Sequence, residues 1–99
     1  METYKDLIES APCVMVEFYA TWCPHCQRMM PVVDDVKSLL EGEVPVYQLD
    51  IEKNETAAED AAVSSIPTFL IYKNGRQVWS FSGEIDGNTL YEKIRSIAG

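Results

Sequence analysis

Two cysteines three positions apart, Cys23 and Cys26, stand in the segment Trp22-Cys23-Pro24-His25-Cys26 and are the residues best suited to chemistry. Such a pair can be a thiol–disulfide couple, half of a zinc site, or two inert core thiols. Zinc needs four ligands, and beyond the pair only Cys13 and His25 remain. His25 is locked between the two cysteines and Cys13 lies in an apolar run, so the ligand count speaks against metal. Trp22, Pro24 and His25 read as a loop rather than a core strand, which speaks against inert thiols. The redox couple leads.

A helix starting at the motif would explain the spacing. The first sulfur then meets unpaired backbone N–H groups and the positive end of the helix dipole. Both favour the thiolate, the form that attacks disulfides. The second cysteine, one turn on, can close a disulfide with the first. Cys23 is therefore expected to attack and Cys26 to resolve the mixed disulfide. Pro24 suits the first helical position, where its missing N–H costs nothing.

The elements that must hold this pair can be read along the chain. Thr3 and Asp6 make a capping pair for a short helix striped by Tyr4, Leu7 and Ile8 and ended by Pro12. Cys13 to Tyr19 is a nearly continuous apolar run, as in a central strand covered on both faces. After the motif, Met29, Val32, Val33, Val36 and Leu40 recur at helical spacing, with Gly42 past the end and Pro31 expected to kink the helix. Val44 to Asp50 reads as a strand. Asn54 to Ala62 reads as an acidic, alanine-rich helix capped by Asn54, its charges solvated. Thr68–Tyr72 and Gln77–Ser82 read as strands joined by the hairpin signal Asn74-Gly75. Asp86 can cap a last helix with Leu90, Ile94 and Ile97 on its buried side. The order α-β-α-β-α-β-β-α predicts an α/β fold, with parallel pairing of helix-separated strands and an antiparallel hairpin at the end.

Bulk properties narrow the partners. The 99 residues suffice for one domain, 1–99, with 46% apolar and 24% charged residues. A net charge of −8 repels phosphate, so nucleic acid and anionic membranes are not expected partners. The longest apolar stretch, Ala11 to Ala20, is broken by Glu17 and too short to span a bilayer. The first residues lack the basic start and apolar run of an export signal. A cytoplasmic monomer is expected, with a periplasmic or exported location left open should a leader have been removed. Three cysteines, two of them adjacent in this way, do not make a disulfide scaffold.

The segment Glu17-Phe18-Tyr19-Ala20-Thr21-Trp22-Cys23-Pro24-His25-Cys26 resembles the active-site segment of thioredoxins. Pro31, Ile66-Pro67-Thr68, Lys73-Asn74-Gly75 and Gly83 follow in the order that family shows. The resemblance covers nearly the whole chain from Cys13 onward. It implies a thioredoxin fold, here a mixed sheet of mostly four strands with helices on both faces. The family's N-terminal strand is missing, which leaves Val44–Asp50, with its Pro45, at a sheet edge. It implies that Pro67 is a cis-proline beside the pair, with the Ile66 backbone free to pair with an extended substrate. Trp22 and Pro67, with Gly83, would form an apolar rim for protein substrates. Glu17 stands where the family has a buried aspartate that relays a proton for the resolving cysteine. Gln48 replaces a lysine that often pairs with that acid, which favours a neutral Glu17.

The resemblance departs most at Pro24-His25, where thioredoxins usually have Gly-Pro and periplasmic disulfide oxidases have a similar dipeptide. His25 at the helix start can donate to the Cys23 thiolate and, when protonated, add positive charge. A more stable thiolate makes a more oxidising couple. The family extremes lie roughly 150 mV apart, about 7 kcal/mol for two electrons. An intermediate potential is expected. The function implied is a protein disulfide oxidoreductase acting without a cofactor on protein disulfides or dithiols, with a flavin-dependent thioredoxin reductase as a possible donor. A more oxidising oxidase or isomerase is the alternative within this class. A metal-binding module or a non-catalytic adaptor is the alternative outside it.

Overall fold

In the computed structural model, which describes residues 3–99, Thr3 opens α1 (Tyr4–Ile8) with a reciprocal capping box to Asp6. The remaining elements are β1 (Cys13–Tyr19), α2 (Pro24–Leu39), β2 (Val46–Asp50), α3 (Glu55–Asp60), β3 (Thr68–Lys73), β4 (Arg76–Ser82) and α4 (Gly87–Ala98). Every expected element is present, and most limits agree to one or two residues. Asn74 and Gly75 both have positive φ, the two-residue turn that matches the twist of a hairpin. α2 runs on through Pro31.

The sheet order is β2-β1-β3-β4, a mixed four-stranded sheet with β2 at one edge, as the resemblance implies. β1 and β2 pair in parallel as expected, but β1 and β3 pair antiparallel, against the expectation for strands separated by helices. The short α3, about 9 Å long, and the loops around it do not return the chain to the far end of the sheet. β3 therefore starts at the end where β2 stops, and Thr68 lies opposite Phe18. That brings Ile66-Pro67 beside the start of α2. A second correction concerns Asn54. It holds the N-cap position of α3, yet its side chain makes no cap and instead donates to the Asp50 carbonyl at 3.0 Å, tying α3 to the end of β2.

Alternation along β1 divides the core. Met15 points with Phe69 and Ile71 toward α2 and α4, where Met29, Val33, Val36, Leu40, Leu90 and Ile94 meet it. Val14, Val16 and Phe18 point the other way with Leu70 and Tyr72, under Tyr4, Leu7 and Ile8 of α1 and the alanines of α3. Cys13 belongs to the first of these clusters as a core residue. Glu17 has the parity of Met15 and so lies on the α2 side. No helix among the described residues is long and apolar enough to cross a membrane.

Asp86 caps α4, its Oδ2 accepting from the Thr89 amide at 3.1 Å. Asp86→Ala should cost about 1 kcal/mol, read as a lower urea midpoint at unchanged slope.

Candidate active site

Cys23 is the N-cap of α2, and Pro24 is its first helical residue. The Cys23 Sγ accepts a hydrogen bond from the Cys26 amide at 3.3 Å. This amide is one of the donors a helix start leaves without a partner, and it strengthens its bond as the sulfur gains negative charge. Across the site the Ile66 carbonyl lies 4.0 Å from the same sulfur. The Ile66–Pro67 peptide bond is cis. The Pro67 carbonyl in turn accepts from the Gly83 amide at 2.8 Å, which holds the end of β4 against the site. Gly83 has φ +106°, a conformation side-chain-bearing residues rarely adopt.

Both site cysteines are free thiols, and both are buried, Cys23 with 4% of its surface exposed and Cys26 with 1%. Burial is the first cause that raises the Cys26 pKa well above the ordinary thiol range, and the bond to Cys23 adds to it. Cys26 is thus the sulfur kept protonated behind its neighbour.

Glu17 is fully buried, which excludes a solvated place at the strand edge. Gln48, its register partner on β2, donates to Oε1 at 3.2 Å, while Oε2 is buried with no hydrogen-bond partner among the described residues. Desolvation pushes the carboxyl up to about 7, the Gln48 bond pulls it down, and Asp34 adds repulsion. Glu17 also acts electrostatically on Cys26, raising its pKa further.

The expected rim is only partly formed. Trp22 is 61% exposed, not a core residue, and its indole N–H donates to Glu52 at 3.2 Å. Ile66 is half-buried beside the cysteines. Pro67 is fully buried and presents no apolar surface to a partner, because the chain packs it under the Gly83 end of β4. His25 is also placed differently from expectation. It does not bond Cys23. Its Nδ1 lies 2.7 Å from Glu84 Oε2, which also accepts from Arg28 Nε at 2.9 Å and Nη2 at 2.8 Å.

Glu84, Arg28 and Glu52 were not singled out from the sequence. Arg28 is one turn from His25 and so within the reach of helical spacing, but Glu84 is 56 residues from Arg28. The one local signal for Glu84 is its place directly after Gly83.

A family model described as Thioredoxin matches residues 1–96. Thioredoxin Y, chloroplastic, of Oryza sativa subsp. japonica is 37% identical over 95 residues, which cover 95% of this chain and 56% of that protein. The chain thus spans little more than half the length of such plant relatives. The thioredoxin of Rickettsia conorii is 33% identical over 90 residues, or 91% of this chain and 86% of that one. Among solved structures, a mutant thioredoxin from Halobacterium salinarum NRC-1 superposes with a TM-score of 0.86 at 28% identity, over 96% of this chain and 82% of that one. A cysteine pair at a helix start, the β2-β1-β3-β4 sheet and a family match over nearly all residues agree: the chain belongs to the thioredoxin family.

Proposed function

We propose that the chain reduces protein disulfides by dithiol–disulfide exchange. The observation that carries this is the Cys23 sulfur at the α2 N-cap, bonded by the Cys26 amide and facing the Ile66 carbonyl. The Cys23 thiolate attacks one sulfur of a substrate disulfide. That S–S bond breaks, a Cys23–substrate disulfide forms, and the first substrate thiolate leaves. Cys26 then gives up its proton and attacks Cys23, releasing the second thiolate and leaving a Cys23–Cys26 disulfide. Two electrons pass to the substrate. Glu17, poised near neutrality behind Cys26, suits the role of the base that takes the resolving proton.

Because Cys23 is so little exposed, the substrate must enter as an extended segment, its backbone along Ile66 and its side chains over Trp22. The reductive direction is favoured by the engagement of His25 with Glu84, which leaves the sulfur without the imidazole donor of an oxidising site. A reducing compartment such as the cytoplasm suits this direction, with a flavin-dependent thioredoxin reductase restoring the dithiol.

The test is reduction of insulin by dithiothreitol, followed by turbidity. The chain should accelerate it catalytically, and prior alkylation with N-ethylmaleimide should remove the acceleration. No acceleration over dithiothreitol alone would leave an adaptor. Stoichiometric zinc in protein purified under reducing conditions would instead favour a metal-binding module.

A further inference from the structure

One carboxylate oxygen, Glu84 Oε2, meets both the His25 imidazole and the Arg28 guanidinium at the mouth of the site. Arg28 holds Glu84 ionised, its pKa down to about 2, with His25 as the next cause. An ionised carboxylate can only accept, so the hydrogen on His25 Nδ1 must point at Glu84. Arg28 Nη2 also lies 2.9 Å from Nδ1, but two donors cannot bond each other, so both side chains donate to the carboxylate. All three side chains are exposed at their tips: His25 and Arg28 stand on the first turns of α2, and Glu84 follows Gly83, whose amide is fixed to the Pro67 carbonyl. Arg28 and the Cys23 sulfur are within electrostatic reach of each other, so where the guanidinium rests matters to the thiolate.

We infer that Glu84 is a positioning residue that holds His25 and Arg28 off the Cys23 sulfur and so keeps a Pro-His active site on the reducing side. This rests on the exchange function proposed above. Neutralising Glu84 releases the Arg28 guanidinium as a charge and the His25 imidazole as a hydrogen-bond donor toward Cys23, which stabilises the thiolate, and with it the reduced form, and makes the couple more oxidising. Since these charges are exposed and screened, the effect is modest.

The test is equilibration of the chain with reduced and oxidised glutathione, for wild type and Glu84→Gln, at low and high salt. The equilibrium constant for oxidation of the dithiol by glutathione disulfide should fall about threefold in Glu84→Gln, equivalent to about 14 mV. The fall should shrink at high salt. Alkylation of Cys23 by iodoacetamide below neutral pH should be faster by a similar factor. In a His25→Ala, Arg28→Met background the same Glu84→Gln change should have a clearly smaller effect, because no cation is left to be released. An unchanged constant would overturn the inference. An equal fall in both backgrounds would also overturn it, showing that Glu84 acts through its own charge alone. Either result with a wild type that reduces insulin leaves the exchange function intact; a wild type inert toward insulin would defeat that function instead.

Discussion

Cys23→Ser should lower catalysed insulin reduction by at least about 10³-fold, the scale on which loss of a covalent nucleophile is felt. Cys26→Ser should behave differently. Its first step is intact, since Cys23 keeps its place at the α2 N-cap and the amide of residue 26 still reaches the sulfur. Attack therefore proceeds once, releases one equivalent of substrate thiol, and stops. Mass spectrometry should find the substrate joined to Cys23, and dithiothreitol should remove it. In the native dithiol form, iodoacetamide should label Cys23 before Cys26 or Cys13. Cys26 is held protonated by its burial, and Cys13 is a β1 core residue whose thiol burial also pushes upward. Preferential labelling of Cys26, or a Cys26→Ser variant that traps nothing, would reverse the assigned roles.

The second large effect concerns Glu17 and stability. An ordinary glutamate in the unfolded chain loses its proton near pH ~4.3. In the folded chain, desolvation first and Asp34 last raise the carboxyl to about 7, against the pull of Gln48. Between these values the folded state holds a proton that the unfolded state has released. Rising pH therefore favours unfolding: this contribution is complete below the unfolded value and is lost as pH climbs through the folded one. A gap of this size corresponds to about 4 kcal/mol. Glu17→Gln keeps an oxygen for the Gln48 amide and removes the ionisation. The variant should match the wild type in stability to urea under acid conditions and exceed it by about 4 kcal/mol on the alkaline side. Parallel pH profiles for the two proteins would show that Glu17 ionises in the fold as it does in water. The same variant should slow release of the mixed disulfide at neutral pH, because the proton on Cys26 loses its base.

The two effects meet at Cys26, and the alternation of β1 is what brings Glu17 within its electrostatic reach. The parity that sends Val14, Val16 and Phe18 to the α1 and α3 face sends Glu17 beneath α2. A carboxylate in that position is costly to ionise, and it is also near the one thiol that must lose a proton late in the reaction. Stability and turnover are thus coupled through a single buried acid.

Much of this was determined by the sequence alone. Cys-Pro-His-Cys after an apolar strand, Thr3 with Asp6, Asn74-Gly75 and Asp86 each act within a few residues, and the elements they start, turn or cap formed where they indicate. Local stereochemistry and periodicity suffice for such features, because their partners are neighbours in the chain. The direction of β3 beside β1 was set instead by which end of the sheet the connection through α3 left the chain at. The burial of Pro67, the exposure of Trp22 and the capture of His25 by Glu84 likewise followed from which loops met at one end of the sheet. Residues 25 and 84 are brought together by the folding of everything between them, and no spacing rule reaches that far. Sulfur chemistry was written locally; its electrostatic setting was decided by tertiary packing.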